Sequence, residues 1–206
     1  GYFWKANNTL GEKTIIYVHG GPYLQTRPLW NIRTSLFNKY GFNLLVINYH
    51  GSSGYSKKFS QEKQVSNQIS DIVSSVNFLK MKYNIDSENI VLIGSSYGGK
   101  LVLKASDYIE KLGGIVLISG VVDTNIKNLE KLKKTKIIGF YGKLDPLANK
   151  AHIFFKENRL INSESNNLKI YKGEGHFFHR STTWASIYGS IIEEFSNTKK
   201  VAIKDN

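Results

Sequence analysis

The chain has 206 residues, of which 41% are hydrophobic and 21% charged. That is the balance of an ordinary globular protein, long enough to bury a core without covalent staples. It contains no cysteine, which excludes disulfides and thiolate metal sites and fits a reducing, cytoplasmic setting. The formal net charge is +12, but the lysines are spread along the whole chain, so neither a nucleic-acid-binding surface nor an anionic membrane surface is implied.

The first residues, Tyr2, Phe3 and Trp4, are followed at once by Lys5, Asn7 and Asn8. This is not the pattern of a secretory leader, and the abrupt start leaves room for upstream sequence. No apolar run approaches the ~18 residues that a membrane span needs. Thr14–His19 reads as a buried strand ending at Gly20, Gly21 and Pro22. Phe42–Asn48 is the next strand, and Tyr49–Ser56 is a glycine- and serine-rich loop. Ile69, Ile72, Val73, Val76 and Leu79 recur at helical spacing and predict a helix over Val65–Tyr83.

Ile90–Ile93 is a strand, followed by Gly94 and a helix from about Tyr97 to Asp107. Gly114–Ile118 and Lys136–Tyr141 are further strands. The lysines at 131, 133, 134 and 136 lead into the second of these and read as a solvated face. Asn149–Asn162 is a helix, Ser163–Asn167 a polar loop, Leu168–Tyr171 a strand and Thr182–Phe195 an amphipathic helix. The tail from residue 197 is expected to fray. Strands alternating with helices imply one domain, built on a mostly parallel sheet with helices on both faces. Ligands of such sheets bind beyond the carboxyl ends of the strands.

Gly94-Ser95-Ser96-Tyr97-Gly98 stands between a strand and a helix and matches G-x-S-x-G. The sharp turn lifts one hydroxyl above the sheet edge and requires small residues two positions to either side. Gly94 and Gly98 meet that requirement for Ser96, whereas Ser95 would need small residues at Ile93 and Tyr97. Ser96 is therefore the expected nucleophile of an α/β-hydrolase fold.

A serine hydroxyl needs a base, and that base an orienting acid. In this fold's chain order the acid and then the histidine follow the serine. His152 lies within a helical pattern, which leaves His176 as the expected base and His179 as its rival. Asp145, after the strand Lys136–Tyr141, is the expected acid, with Asp123 as the rival. The oxyanion of acyl transfer needs aimed donors. The N–H of Tyr97 is one, and the N–H of Gly21 in His19-Gly20-Gly21-Pro22 is the expected second. No metal or organic cofactor is implied, because the histidines and carboxylates lack ligand spacing.

Four segments together resemble the prolyl oligopeptidase family, especially its acylaminoacyl-peptidase and dipeptidyl-peptidase-like branch. They begin at Val18 (VHGGP), Asn48 (NYHGSSGY), Gly94 (GSSYGG) and Gly173 (GEGH). The resemblance runs from about Thr14 to Phe195 and implies a serine peptidase domain acting on short peptides. His50 stands where that family usually has an arginine, which removes a planar cation. The stretch between Gly114–Ile118 and Lys136–Tyr141 is short for the family, so a minimal lid is expected. The family's β-propeller is absent from these residues. A carboxylesterase acting on small acyl esters is the alternative, and a non-catalytic binding protein on the same fold the next. Oligomeric state is not legible.

Overall fold

The computed structural model describes residues 1–6, 13–28, 32–123, 125–158 and 167–196. Its seven strands, in chain order, are β1 (Tyr2–Trp4), β2 (Thr14–Val18), β3 (Asn43–Ile47), β4 (Ile90–Ser95), β5 (Gly114–Ile118), β6 (Ile137–Gly142) and β7 (Leu168–Tyr171). They form one sheet in the order β1-β3-β2-β4-β5-β6-β7. Only the β1–β3 pair is antiparallel. The α/β-hydrolase fold expected from the sequence is present.

The inner strands, β2 to β6, are nearly continuous apolar runs because both faces of the sheet are covered there. Ile90 and Leu92 of β4 point to one side, where they pack with helices α3 (Val65–Tyr83), α4 (Tyr97–Ala105) and α6 (Ala148–Glu157). Val91 and Ile93 point to the other, toward α1 (Ile32–Lys39) and α7 (Ser181–Phe195). Ile72, Val76 and Leu79 of α3 are buried, one helical turn apart. Each such side chain contributes about 1.5–3 kcal/mol relative to leaving it in water. Two short helices complete the set, α2 (Lys57–Gln61) and α5 (Leu129–Lys134).

The register aligns the carboxyl ends of the strands. Val18 pairs with both Ile47 and Gly94, Ser95 with Ile118, Ile118 with Phe140, and Gly142 with Tyr171. The loops that follow therefore open on one edge. Among the described residues, α5 is the only helix between β5 and β6, which leaves little chain there to cover that edge. No described helix is long and apolar enough to cross a membrane.

The predicted strands agree with the observed ones to within two residues. Helix α6 begins at Ala148 rather than Asn149; residues 159–162 of its predicted span, 163–166 of the polar loop and the tail from 197 lie outside the described residues. Strand β1 and helices α1, α2 and α5 were not expected.

Candidate active site

Ser96 follows β4 and caps the start of α4 with φ +49° and ψ −119°. A non-glycine residue there carries backbone strain of roughly 1–3 kcal/mol. Three backbone hydrogen bonds hold it: Ser96 N–H donates to the Ile118 carbonyl at 3.0 Å, and its own carbonyl accepts from Val121 N–H at 2.8 Å and Gly99 N–H at 3.0 Å. The flanking glycines are needed for space. A Cβ on Gly94 would lie 2.5 Å from the Gly98 carbonyl oxygen, and one on Gly98 would run into the Val18 carbonyl. The turn thus fits only because strand, elbow and helix touch through bare backbone.

Ser96 Oγ lies 2.9 Å from His176 Nε2, and His176 Nδ1 lies 3.1 Å from Asp145 Oδ2. An ionised carboxylate can only accept, so Nδ1 carries the proton and Nε2 is left to accept from the Ser96 hydroxyl. The Asp145 side chain is fully buried and its second oxygen accepts from Leu147 N–H at 2.9 Å. His176 remains partly exposed. The structure therefore brings together the three side chains expected as nucleophile, base and acid.

The rivals are committed elsewhere. Asp123 is paired with Lys104 at 3.3 Å and Lys100 at 4.0 Å. His179 Nδ1 lies 2.9 Å from Glu174 Oε2. His152 is exposed on α6.

The loop carrying Gly21 lies beside the elbow. A Cβ on Gly20 would come 2.8 Å from Ser96 Cβ, and Gly21 turns the chain at φ +47°. Tyr49 is fully buried, and its hydroxyl donates to the carbonyls of His19 at 3.2 Å and Gly21 at 3.4 Å. Burial raises its pKa well above the ordinary phenol value, so it stays a neutral donor. The N–H of Tyr97 is the first of α4 and has no carbonyl one turn behind it within the helix. Its side chain is pinned where the phenol donates to Gln68 Oε1 at 2.7 Å.

Gln68 also donates to the His50 carbonyl at 2.9 Å. His50 binds one oxygen of Asp71 twice. Its backbone N–H and its ring Nδ1 are both 2.7 Å from Asp71 Oδ2. The histidine therefore braces the loop against α3. Sequence reasoning missed Gln68, Asp71 and Glu174. The first two sit on α3 at helical positions that read only as surface or core. Glu174 had a visible signal, a carboxylate inside a glycine turn beside the expected base.

Comparison with known proteins adds four findings. The sequence profile of the prolyl oligopeptidase family matches residues 29–132. "Acylamino-acid-releasing enzyme 1" of Oryza sativa subsp. japonica is 31% identical over 101 residues, which cover 48% of this chain and 13% of the relative. Among solved structures, the Pyrococcus horikoshii acylaminoacyl peptidase superposes with a TM-score of 0.78 at 18% identity, covering 97% of this chain and 40% of that one. Esterase PE8 superposes at 0.66 and 14% identity, over 94% of this chain and 97% of that one. The two structural likenesses speak to the fold. The profile spans about half of the chain and includes β3, β4, the elbow and β5, and on that match the chain belongs to the prolyl oligopeptidase family.

Proposed function

We propose that this chain is the single catalytic domain of a serine peptidase that cleaves short peptides through an acyl-enzyme on Ser96. The observation that carries the reading is the unbroken hydrogen-bonded line from Ser96 Oγ through His176 to Asp145. In the proposed reaction Ser96 Oγ attacks the scissile carbonyl carbon while His176 Nε2 takes its proton. The carbonyl oxygen gains the negative charge and is held by the N–H groups of Gly21 and Tyr97. The C–N bond then breaks, and His176 returns the proton to the leaving amine. Water repeats the sequence on the ester and frees Ser96. Asp145 keeps the imidazole in the tautomer that can accept and steadies it once charged.

The relatives' names point to acylated peptides, and the charges at the site are consistent with them. Asp71, Asp123, Asp145 and Glu174 are each committed to a partner. A free substrate ammonium would compete for carboxylates already paired, whereas a blocked amino terminus needs none. The exposed apolar side chains of Tyr23, Leu24, Leu144 and Phe177 stand in the loops around the elbow. They favour apolar groups on the substrate. The cysteine-free composition fits a cytoplasmic enzyme.

The test is turnover of N-acetyl aminoacyl anilides, free aminoacyl anilides and simple acyl esters by the wild type and by Ser96→Ala. Amide cleavage that prefers the blocked series and disappears in Ser96→Ala is expected. Ester cleavage alone would replace the peptidase reading with an esterase. Turnover that survives in Ser96→Ala would remove the nucleophile.

A further inference from the structure

His176 sits on a short arch between β7 and α7, and both feet of the arch meet at one residue. Glu174 opens it, its side chain fully buried. Its carboxylate reaches over the histidine's segment to the far foot. Oε2 accepts from His179 N–H at 3.1 Å and lies 2.9 Å from His179 Nδ1. Oε1 accepts from Arg180 N–H at 3.3 Å and from the Thr183 hydroxyl at 2.6 Å. The residues in between, 175–178, include the histidine.

The backbone of the same residue is tied to the acid's loop. The Glu174 carbonyl accepts from Leu144 N–H at 2.9 Å, immediately before Asp145. A Cβ on Gly142 would run into the carbonyls of Glu174 and Gly175, so the arch rests directly on the end of β6. A buried charge is tolerable only when its lone pairs are filled, and this one is filled by the chain that carries His176. Burial alone would raise the carboxyl's pKa. The Thr183 hydroxyl and the two backbone N–H groups, with His179 beside it, outweigh it and hold the group below the usual carboxylate value.

We propose that Glu174 is a positioning residue for the base: by clamping both feet of the arch it sets where His176 Nε2 meets Ser96 and where Nδ1 meets Asp145. The proposal rests on the reading of Ser96 and His176 as nucleophile and base. It also gives His179 a part, as a strut on the clamp and not a base.

The experiment compares wild type with Glu174→Ala, Glu174→Gln and His179→Ala, each assayed well below its own Tm so that the folded fraction is near one. A group misplaced by about 1 Å costs about 10²-fold in rate. The expected kcat loss is therefore about 10²-fold for Glu174→Ala and about 10-fold for Glu174→Gln, with KM changing less than about threefold. His179→Ala, which removes one strut, is expected to lose less than Glu174→Gln. The second readout is the downfield proton NMR signal of His176 Nδ1–H, which reports its bond to Asp145 without needing turnover. It is expected in the wild type and weakened or lost in Glu174→Ala. If Glu174→Ala does not fold, Glu174→Gln decides by the same two readouts. Folded variants with wild-type kcat and an unchanged proton signal would overturn the proposal. A wild type without serine-dependent turnover would overturn the reading of the site instead, and the proton signal would still judge the clamp.

Discussion

Gly20→Ala probes the contact between the loop of Gly21 and the elbow. The new Cβ would lie 2.8 Å from Ser96 Cβ and 3.1 Å from the Ser95 carbonyl oxygen. Carbon atoms in good contact are about 3.5–4.0 Å apart, so the two segments must separate by roughly 0.7–1.2 Å. The elbow cannot yield easily, because Ser96 is bonded through its N–H to Ile118 and through its carbonyl to Val121. The movement falls on the loop that carries the expected oxyanion donor. An overpacked site of this kind costs about 1–3 kcal/mol of stability. At about 2–4 °C per kcal/mol for a chain of this size, Tm should drop by several degrees. Moving a donor by about 1 Å should lower kcat/KM by about 10²-fold, equivalent to about 2.7 kcal/mol. The assay is kcat/KM beside Tm for Gly20→Ala and for Gly175→Ala, where an added Cβ meets nothing within 4 Å. Gly175→Ala is expected to stay within about twofold of wild type, in line with an unstrained surface change. Wild-type kcat/KM in Gly20→Ala would show that the loop does not have to move, and activity lost only in proportion to unfolding would show that the movement does not reach the donor.

Two further predictions follow from the same geometry. Asp145→Asn keeps the shape of the acid but can donate to His176 Nδ1, favouring the wrong tautomer; kcat should fall by about 10³–10⁴-fold with little change in KM. His19 is buried, with Nδ1 2.9 Å from the Gly20 carbonyl and Nε2 2.9 Å from Ser52 Oγ. Burial lowers its pKa below the usual 6.5, and the bond to Gly20 only partly offsets this. Below about pH 6.5 the unfolded chain takes up a proton that the native chain resists. This contribution to stability is therefore complete above that pH and drains away as the pH falls, by at most about 1.4 kcal/mol per unit. Urea unfolding between pH 5 and 7.5 should show that slope in the wild type and a flatter one in His19→Gln. Equal slopes would contradict it.

The parts of this protein that can be read from its sequence are those whose requirements are local. The elbow needs glycines two residues either side of Ser96, and the backbone contacts at Gly94 and Gly98 explain why. The central strands are runs of branched apolar residues, and Ile72, Val76 and Leu79 mark α3 by spacing alone. The missed elements lack such signals. Strand β1 has three residues, too few for a period, and exists because it pairs antiparallel with β3. Helix α1 has one buried side chain among its described ones, Phe37, and takes its helicity from packing on the sheet. Helix α5 reads as a charge run because Leu132 is its one buried side chain and Leu129 only partly joins the core. Chain order alone favours His176 and Asp145 over their rivals, and what those rivals bind is visible only in three dimensions. Asp123 is drawn to Lys100 and Lys104 of α4, and His179 to Glu174. Pairings across 21 to 29 residues, such as His50 with Asp71 and Tyr97 with Gln68, leave no spacing rule to find them by.

The proposed role of Ser96 as a nucleophile activated by His176 underlies the whole mechanism. It is tested most directly by reacting the protein with a fluorophosphonate and locating the adduct by peptide mass spectrometry. Stoichiometric modification on Ser96 is expected, with no adduct in Ser96→Ala and labelling slowed by orders of magnitude in His176→Ala. An adduct on Ser95 or another residue, or equal labelling with and without His176, would contradict it.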